Sequence, residues 1–282
     1  MDPKSLKELI RQHRPWHQNI QLTDEVDIRS AFEPDELVRK NNENVAFIDH
    51  HDSWTNKVNR IYPDGFKGKS FLDCACNAGS YCFWMRDLGA SGAHGFDVRK
   101  HWIDQANLVM QHRTVQPTDG ISFEVCDLMQ LPQRNIQAAD FVLFKGIFYH
   151  LADPIRGLKI AADLTKDTIL VNTSRMFVED DRGLHCVFEQ IERKMSGAHS
   201  LSWIPTGPKV IAMMLYWLGF VDIWHVFSNR DKDNPKHGRM ELVASRTAGR
   251  LDGFADYENA KKMPTSGYAH AKTADDQMLS LH

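Results

Sequence analysis

The segment "FLDCACNAGSY", from Phe71 to Tyr81, decides the fold class of this chain. An apolar run is followed by small, turn-tolerant residues, and a helix-compatible apolar pattern begins directly after them. Asn77 is of a type that accepts a left-handed backbone more readily than most, and Gly79 accepts it without steric cost. This order is typical of a strand, a tight turn and a helix, with the turn at the ligand-binding end of an open α/β sheet.

Cys74 and Cys76 stand one residue apart in this segment and raise the question of a metal site. The chain has five cysteines, and no second pair of Cys or His residues at zinc spacing accompanies these two. A free cysteine in a buried strand packs as a small hydrophobic side chain. We therefore predict that both cysteines flank a ligand site and bind no metal.

From residue 69 onwards, short apolar runs alternate with helical patterns, which indicates βαβ units and a parallel sheet. The connection between the last two strands is too short for a crossover helix, so these strands should pair antiparallel. The predicted strands are 70–75, 93–98, 121–127, 140–146, 168–174, 221–227 and 240–246. The predicted helices are 80–90, 100–113, 154–164 and 208–220.

Three segments lie outside this pattern, which runs over residues 69–246. Residues 1–68 precede the sheet and are interpreted as a helical lid or substrate segment. Residues 180–205 are interpreted as an inserted lid. Residues 247–282 lack a sustained apolar period and are predicted to form an irregular tail.

Composition narrows the functional classes. With 282 residues, 42% apolar and 25% charged, the chain is expected to form one elaborated, soluble domain. No apolar run is long enough to span a bilayer, and "MDPKSLKELIRQHRPW" has no apolar signal core. An odd number of cysteines favours reduced thiols. A cytoplasmic location is therefore expected. A net charge of −3 disfavours a broad nucleic-acid surface, although residues 29–47 leave a local basic face open.

Asp73, Ala75, Asn77 and Gly79 resemble the first motif of the class I S-adenosylmethionine-dependent methyltransferases, an acidic residue followed by three alternating glycines. Two of the three glycines are replaced here. The resemblance implies a Rossmann-like, seven-stranded and mostly parallel sheet with an antiparallel C-terminal hairpin. It also implies that the chain binds S-adenosylmethionine and releases S-adenosylhomocysteine.

The same resemblance assigns further cofactor-binding residues at the ends of successive strands. Asp97 ends the second strand, where the family holds both ribose hydroxyls with a carboxylate. Asp127 and Leu128 end the third strand, where the family contacts adenine, and Lys145 ends the fourth. A strand-end Asp is often only a helix cap or turn residue, and that alternative applies to each of them.

Residues 16–22, 141–159 and 202–223 are similar to the branch that contains the bacterial tRNA wobble-uridine carboxymethyltransferase and related sugar and metabolite methyltransferases. In that branch a Tyr-His pair after the fourth strand lines the reaction centre, which corresponds to Tyr149 and His150. The ordinary pKa of histidine lies near neutrality, so His150 is the candidate base.

The expected activity is O-methylation of a small polar acceptor such as a sugar, with ordinary rather than carboxylated S-adenosylmethionine. A tRNA-modifying transferase, a cofactor-binding protein without catalysis and a homo-oligomer remain open alternatives, and no membrane partner is expected. A divalent metal is a further, less favoured alternative. Its candidate ligands are His150, His185, His199 and His225.

Overall fold

The computed structural model describes residues 1–34, 36–37, 51–188 and 200–265. The chain divides into two compact units, Met1–Asn135 and Ile136–His282. The central sheet has eight strands. The first three strands of the chain pair in parallel, and so do the fourth and fifth. Among the described residues, no helix is both long and apolar enough to cross a membrane.

The first unit contains three parallel strands in the order β1, β2, β3. All residues of β1 after Ser70 are buried, as expected for a strand covered on both faces. Its elements are α1 (Pro3–Gln12), α2 (His51–Ile61), β1 (Ser70–Cys74), α3 (Ser80–Asp87), β2 (Gly92–Asp97), α4 (Lys100–His112), β3 (Ile121–Val125) and two 3₁₀ helices, Arg29–Ala31 and Leu128–Gln133.

The second unit contains five strands of the central sheet in the order β4, β5, β9, β8, β10. β4 and β5 are parallel, and the other neighbours are antiparallel. Its elements are β4 (Ala139–Lys145), α5 (Pro154–Asp163), β5 (Thr165–Met176), β6 (Leu184–Phe188), β7 (Leu201–Pro205), α6 (Pro208–Trp217), β8 (Asp222–Arg230), β9 (His237–Ser245), β10 (Lys261–Lys262) and two 3₁₀ helices, Phe148–His150 and Asp252–Phe254.

The α/β class, the mostly parallel sheet and the antiparallel C-terminal hairpin are confirmed. Every predicted strand and helix is present, with ends that shift by a few residues. The structure adds an eighth strand, β10, whose two residues are too few to produce a strand pattern in the sequence. β5 is longer than predicted because its far end pairs with β9 as far as Met176.

The segment interpreted as an inserted lid contains an antiparallel pair, β6 and β7, in which Leu184 lies opposite Pro205. Residues 189–199, which include His199, lie outside the described residues. So do residues 35, 38–50 and 266–282, which take in most of the candidate basic face at 29–47 and the end of the predicted tail. In the described part of that tail, Leu251 and Phe254 are fully buried. The segment boundaries themselves stay predictions.

Candidate cofactor site and reaction-centre residues

In the turn after β1, every second residue has a left-handed backbone conformation. Ala75, Asn77 and Gly79 have φ angles of 63°, 54° and 82°. A left-handed conformation costs a residue with a Cβ roughly 1 to 2 kcal/mol, less for Asn, so Ala75 in particular carries strain. Strain of this kind persists where the surroundings impose it, often at ligand sites. The three positions where the family has glycine thus keep a glycine-like backbone although two hold other residues.

Asp97 fixes this turn. Because β1 and β2 are parallel, with Cys74 opposite Phe96, the residues that follow the two strands lie at the same edge. The Asn77 amide donates to Asp97 Oδ2 at 3.2 Å, and the Arg99 amide donates to Asp97 Oδ1 at 2.9 Å. Burial raises the pKa of this carboxyl group, and the two amide bonds oppose that rise. Each carboxylate oxygen keeps a further acceptor site, so the group suits a vicinal diol.

Gln18 is a residue of this turn that the sequence interpretation did not assign. Its Oε1 accepts from the Ser80 amide at 3.0 Å, which satisfies a donor at the start of α3. Its Nε2 donates to the Cys76 carbonyl at 3.5 Å. The N-terminal segment therefore holds the turn from both ends. The partners lie 62 and 58 positions away in the chain, and no local pattern indicates such a contact.

The other predicted cofactor residues of the first unit have different surroundings. Asp73 lies within β1 and is only 2% exposed. Asp127 precedes the 3₁₀ helix Leu128–Gln133, and its Oδ1 accepts from the Met129 amide at 2.9 Å, as a helix cap does. Leu128 is buried. The structure thus brings Ala75, Asn77, Gly79 and Asp97 into one hydrogen-bonded turn, whereas Asp127 is engaged in capping.

Cys74, Cys76 and Cys82 are buried in the first unit. Burial, together with the charge of Asp73, raises their thiol pKa well above its ordinary value. Buried thiols of this kind are typical of structural, unreactive cysteines. Among the described residues, no group of three Cys, His, Asp or Glu side chains is arranged to hold a metal ion.

We expect elemental analysis of the purified protein to find no stoichiometric zinc, because the thiols at residues 74 and 76 are buried and no metal-binding group of side chains surrounds them among the described residues. The Cys74→Ser/Cys76→Ser double variant should have the same metal content as the wild type. About one zinc per chain that disappears in the double variant would contradict this assignment.

Replacing Gly79 by alanine is expected to destabilise the chain strongly. The alanine would have to adopt a positive φ, and its Cβ would lie 2.5 Å from Cε1 of the Phe123 ring, which packs against the turn. Left-handed strain and overpacking together should lower the free energy of unfolding by roughly 2 to 5 kcal/mol. Denaturant unfolding measures this loss.

Gly65→Ala is the matched control, because Gly65 has a φ of +88° but nothing within 4 Å of an added Cβ. This control should lower the free energy of unfolding only by the backbone strain, about 1 to 2 kcal/mol. Equal losses in the two variants would show that the Phe123 contact does not constrain the turn.

In the second unit, Tyr149 and His150 lie in the 3₁₀ helix that follows β4, which Lys145 ends. Tyr149 is buried and His150 is half-buried, and their ring centroids are 4.2 Å apart. The Trp203 indole of β7 donates to the Ala152 carbonyl at 3.1 Å. The inserted segment is therefore tied to the chain just beyond the Tyr-His pair.

Arg239 of β9 is a second residue that the sequence interpretation did not assign. Its guanidinium carbon lies 5.3 Å from the centroid of the Tyr149 ring. Within the described part of the chain, Arg239 forms no ion pair with a carboxylate. A cation thus lies beside the predicted reaction-centre tyrosine.

Among the described residues, His150, His185 and His225 do not belong to a group of side chains that could hold a metal ion. His225 lies 2.9 Å from Ser228 Oγ, and burial lowers its pKa. His185 is exposed on β6.

Comparison with known proteins finds a matching domain model and relatives of low sequence identity. Residues 66–204 match the model of the methyltransferase domain. The chain is 26% identical over 234 residues to a tRNA U34 carboxymethyltransferase of Campylobacter lari, which covers 81% of this chain and 75% of that protein. It is 30% identical over 175 residues to the enzyme of the same name from Pseudomonas putida, covering 61% of this chain and 52% of that protein.

Among solved structures, the fold matches the N-terminal domain of EvdMO1 crystallised in the presence of SAH and D-fucose. The TM-score is 0.64 at 16% identity, over 87% of this chain and 97% of that domain. This likeness establishes the fold. The match of residues 66–204 to the methyltransferase-domain model supports a methyltransferase enzyme.

Proposed function

We propose that this methyltransferase transfers the methyl group of S-adenosylmethionine to a hydroxyl of a small polar acceptor such as a sugar, and releases S-adenosylhomocysteine. The observation that carries the proposal is the turn fixed by Asp97. Its left-handed backbone and small side chains allow close approach of a ligand, and its carboxylate fits a ribose diol. The neighbour crystallised with SAH and D-fucose has the same fold, which supports both the proposed cofactor and the proposed sugar acceptor.

The chain's own residues have two tasks in this reaction. The sulfonium methyl of S-adenosylmethionine is already activated, so the protein must chiefly align the acceptor for in-line attack and remove its proton. His150 takes the proton of the acceptor hydroxyl. Tyr149 packs against the His150 ring and restricts its orientation. Trp203, bound to the Ala152 carbonyl, keeps the inserted segment over this part of the second unit and helps to exclude water.

Arg239 favours a second candidate function, uridine carboxymethyl transfer on tRNA. A carboxymethyl donor carries a carboxylate, and a guanidinium without a carboxylate partner is the side chain that recognises such a group best. The curated relatives named above carry this activity in their names. The net charge of −3 counts against a broad RNA surface.

A labelled transfer assay distinguishes the two functions. The protein is incubated with methyl-labelled S-adenosylmethionine and either a panel of sugars and nucleotide-linked sugars or unmodified tRNA. We expect label on a small-molecule hydroxyl. Carboxymethylated uridine formed only with carboxylated S-adenosylmethionine would replace the first proposal by the second. The mass of any nucleoside that copurifies with the protein gives an independent check of the cofactor.

A further inference from the structure

Two arginines of the second unit share one aromatic ring. Arg175 lies near the end of β5, and Arg230 ends β8. Their guanidinium carbons lie 4.3 and 4.1 Å from the centroid of the Phe177 ring. Both distances are well within the range of cation–π contact. One ring therefore contacts two cations.

The hydrogen-bond partners of these arginines are neutral. Arg175 donates from Nε to the Thr206 carbonyl and from Nη1 to Ser228 Oγ, both at 3.1 Å. Arg230 donates from Nη1 to the Pro235 carbonyl at 2.8 Å. Neither forms an ion pair with a carboxylate in the described ranges. Neither guanidinium group is therefore in contact with a counter-ion from the described part of the chain.

A glycine of β9, Gly238, leaves room for the Phe177 ring. Gly238 of β9 lies opposite Arg175 on one side and opposite Arg230 on the other, so the three residues share a face of the sheet. A Cβ on Gly238 would lie 2.9 Å from Phe177 Cε2 and would overlap the Asn229 carbonyl oxygen. Glycine at this position lets the Phe177 ring lie against β9 between the two strands that carry the arginines.

The two cations oppose each other. Burial lowers the pKa of Arg175, and the charge of Arg230 lowers it further, while Asp181 acts in the opposite direction. An anion bound to both guanidinium groups would offset this repulsion. The planar fork of arginine matches phosphate oxygens in pairs, and two such forks can share the oxygens of one phosphate group.

The surrounding charges decide which kind of phosphate ligand fits. Exposed carboxylates follow both arginines closely in the chain, at Glu179 and Asp180 and at Asp231 and Asp233. An extended nucleic-acid backbone would bring further phosphates against these carboxylates, whereas a compact ligand would not. We propose that Arg175 and Arg230, steadied by Phe177, bind the phosphate group of a small phosphorylated molecule.

Calorimetric titration of the full chain with inorganic pyrophosphate at low ionic strength tests this site. It needs neither the cofactor nor a known acceptor, so it is independent of the proposed methyl transfer. We expect saturable binding with one site per chain. Arg175→Gln and Arg230→Gln should each weaken it at least tenfold. Arg230→Gln is the safer variant, because Arg175 also bonds to two neighbouring segments.

Lys232→Gln and Arg182→Gln are the controls. Lys232 lies in the loop beyond Arg230, and Arg182 is exposed and paired with Asp180 at 2.9 Å. Both should bind pyrophosphate within about twofold of the wild type. Absence of saturable binding, or equal losses in the controls, would overturn the site. Tight binding of total tRNA that depends on the same arginines, without pyrophosphate binding, would overturn the assignment to a small ligand.

Discussion

Asp97→Ala is expected to weaken S-adenosylhomocysteine binding strongly. The Asp97 carboxylate would hold the ribose hydroxyls, and each hydrogen bond to a charged group contributes about 1.5 to 3 kcal/mol, which corresponds to roughly 10- to 150-fold in affinity. Losing the carboxylate also frees the Asn77 and Arg99 amides, so the motif turn loses its fixation. Calorimetric titration of S-adenosylhomocysteine measures the loss.

Two further variants separate ribose binding from damage to the turn. Asp97→Asn keeps one oxygen as an amide acceptor but loses the charge, so it should retain the fold and still bind more weakly than the wild type. Asp104→Ala removes an exposed carboxylate of α4 that pairs with Lys100 on the surface, and it should bind normally. Unchanged affinity in Asp97→Ala would remove Asp97 from the cofactor site.

His150→Ala is expected to lower turnover by about a hundredfold to ten-thousandfold, because removal of a general base typically has an effect of this size. The proposed role of His150 is proton removal and not cofactor binding, so the affinity for S-adenosylmethionine should stay near that of the wild type. The assay uses the acceptor identified by the labelled transfer screen, with cofactor titration in parallel.

His51→Ala is the control for this substitution, because His51 is exposed at the start of α2 and should retain full turnover. If His150→Ala keeps turnover within about threefold of the wild type, His150 is a structural residue. The base would then be sought among His17, His185 and His199. If cofactor affinity falls together with turnover, the substitution has disturbed the fold, and His150→Gln, which keeps much of the side-chain volume, replaces it in the test.

The sheet could be predicted from the sequence because each strand is a short apolar run and each crossover has helical periodicity. The turn after β1 could be located for a similar local reason, since Asn77 and Gly79 tolerate left-handed backbone and both adopt it. β6 and β7 could not be predicted as strands, because the inserted segment has no clean alternation of apolar residues.

The sequence predicted fewer of the site's contacts, because several of them join residues that are distant in the chain. Gln18 contacts the motif turn across 58 and 62 positions of the chain, and Arg239 meets Tyr149 only because β9 follows β5 in the sheet. Such contacts depend on tertiary structure, and no local pattern encodes them. Asp127 caps the following 3₁₀ helix through Oδ1, and its predicted contact with the cofactor stays a prediction.

A crystal structure of the protein with S-adenosylhomocysteine is the decisive test of the cofactor site. We expect the ribose hydroxyls to lie within hydrogen-bond distance of the Asp97 carboxylate, and the ligand to lie against the left-handed turn of Ala75, Asn77 and Gly79. A nucleoside bound elsewhere, with the Asp97 carboxylate bonded only to the Asn77 and Arg99 amides, would contradict it.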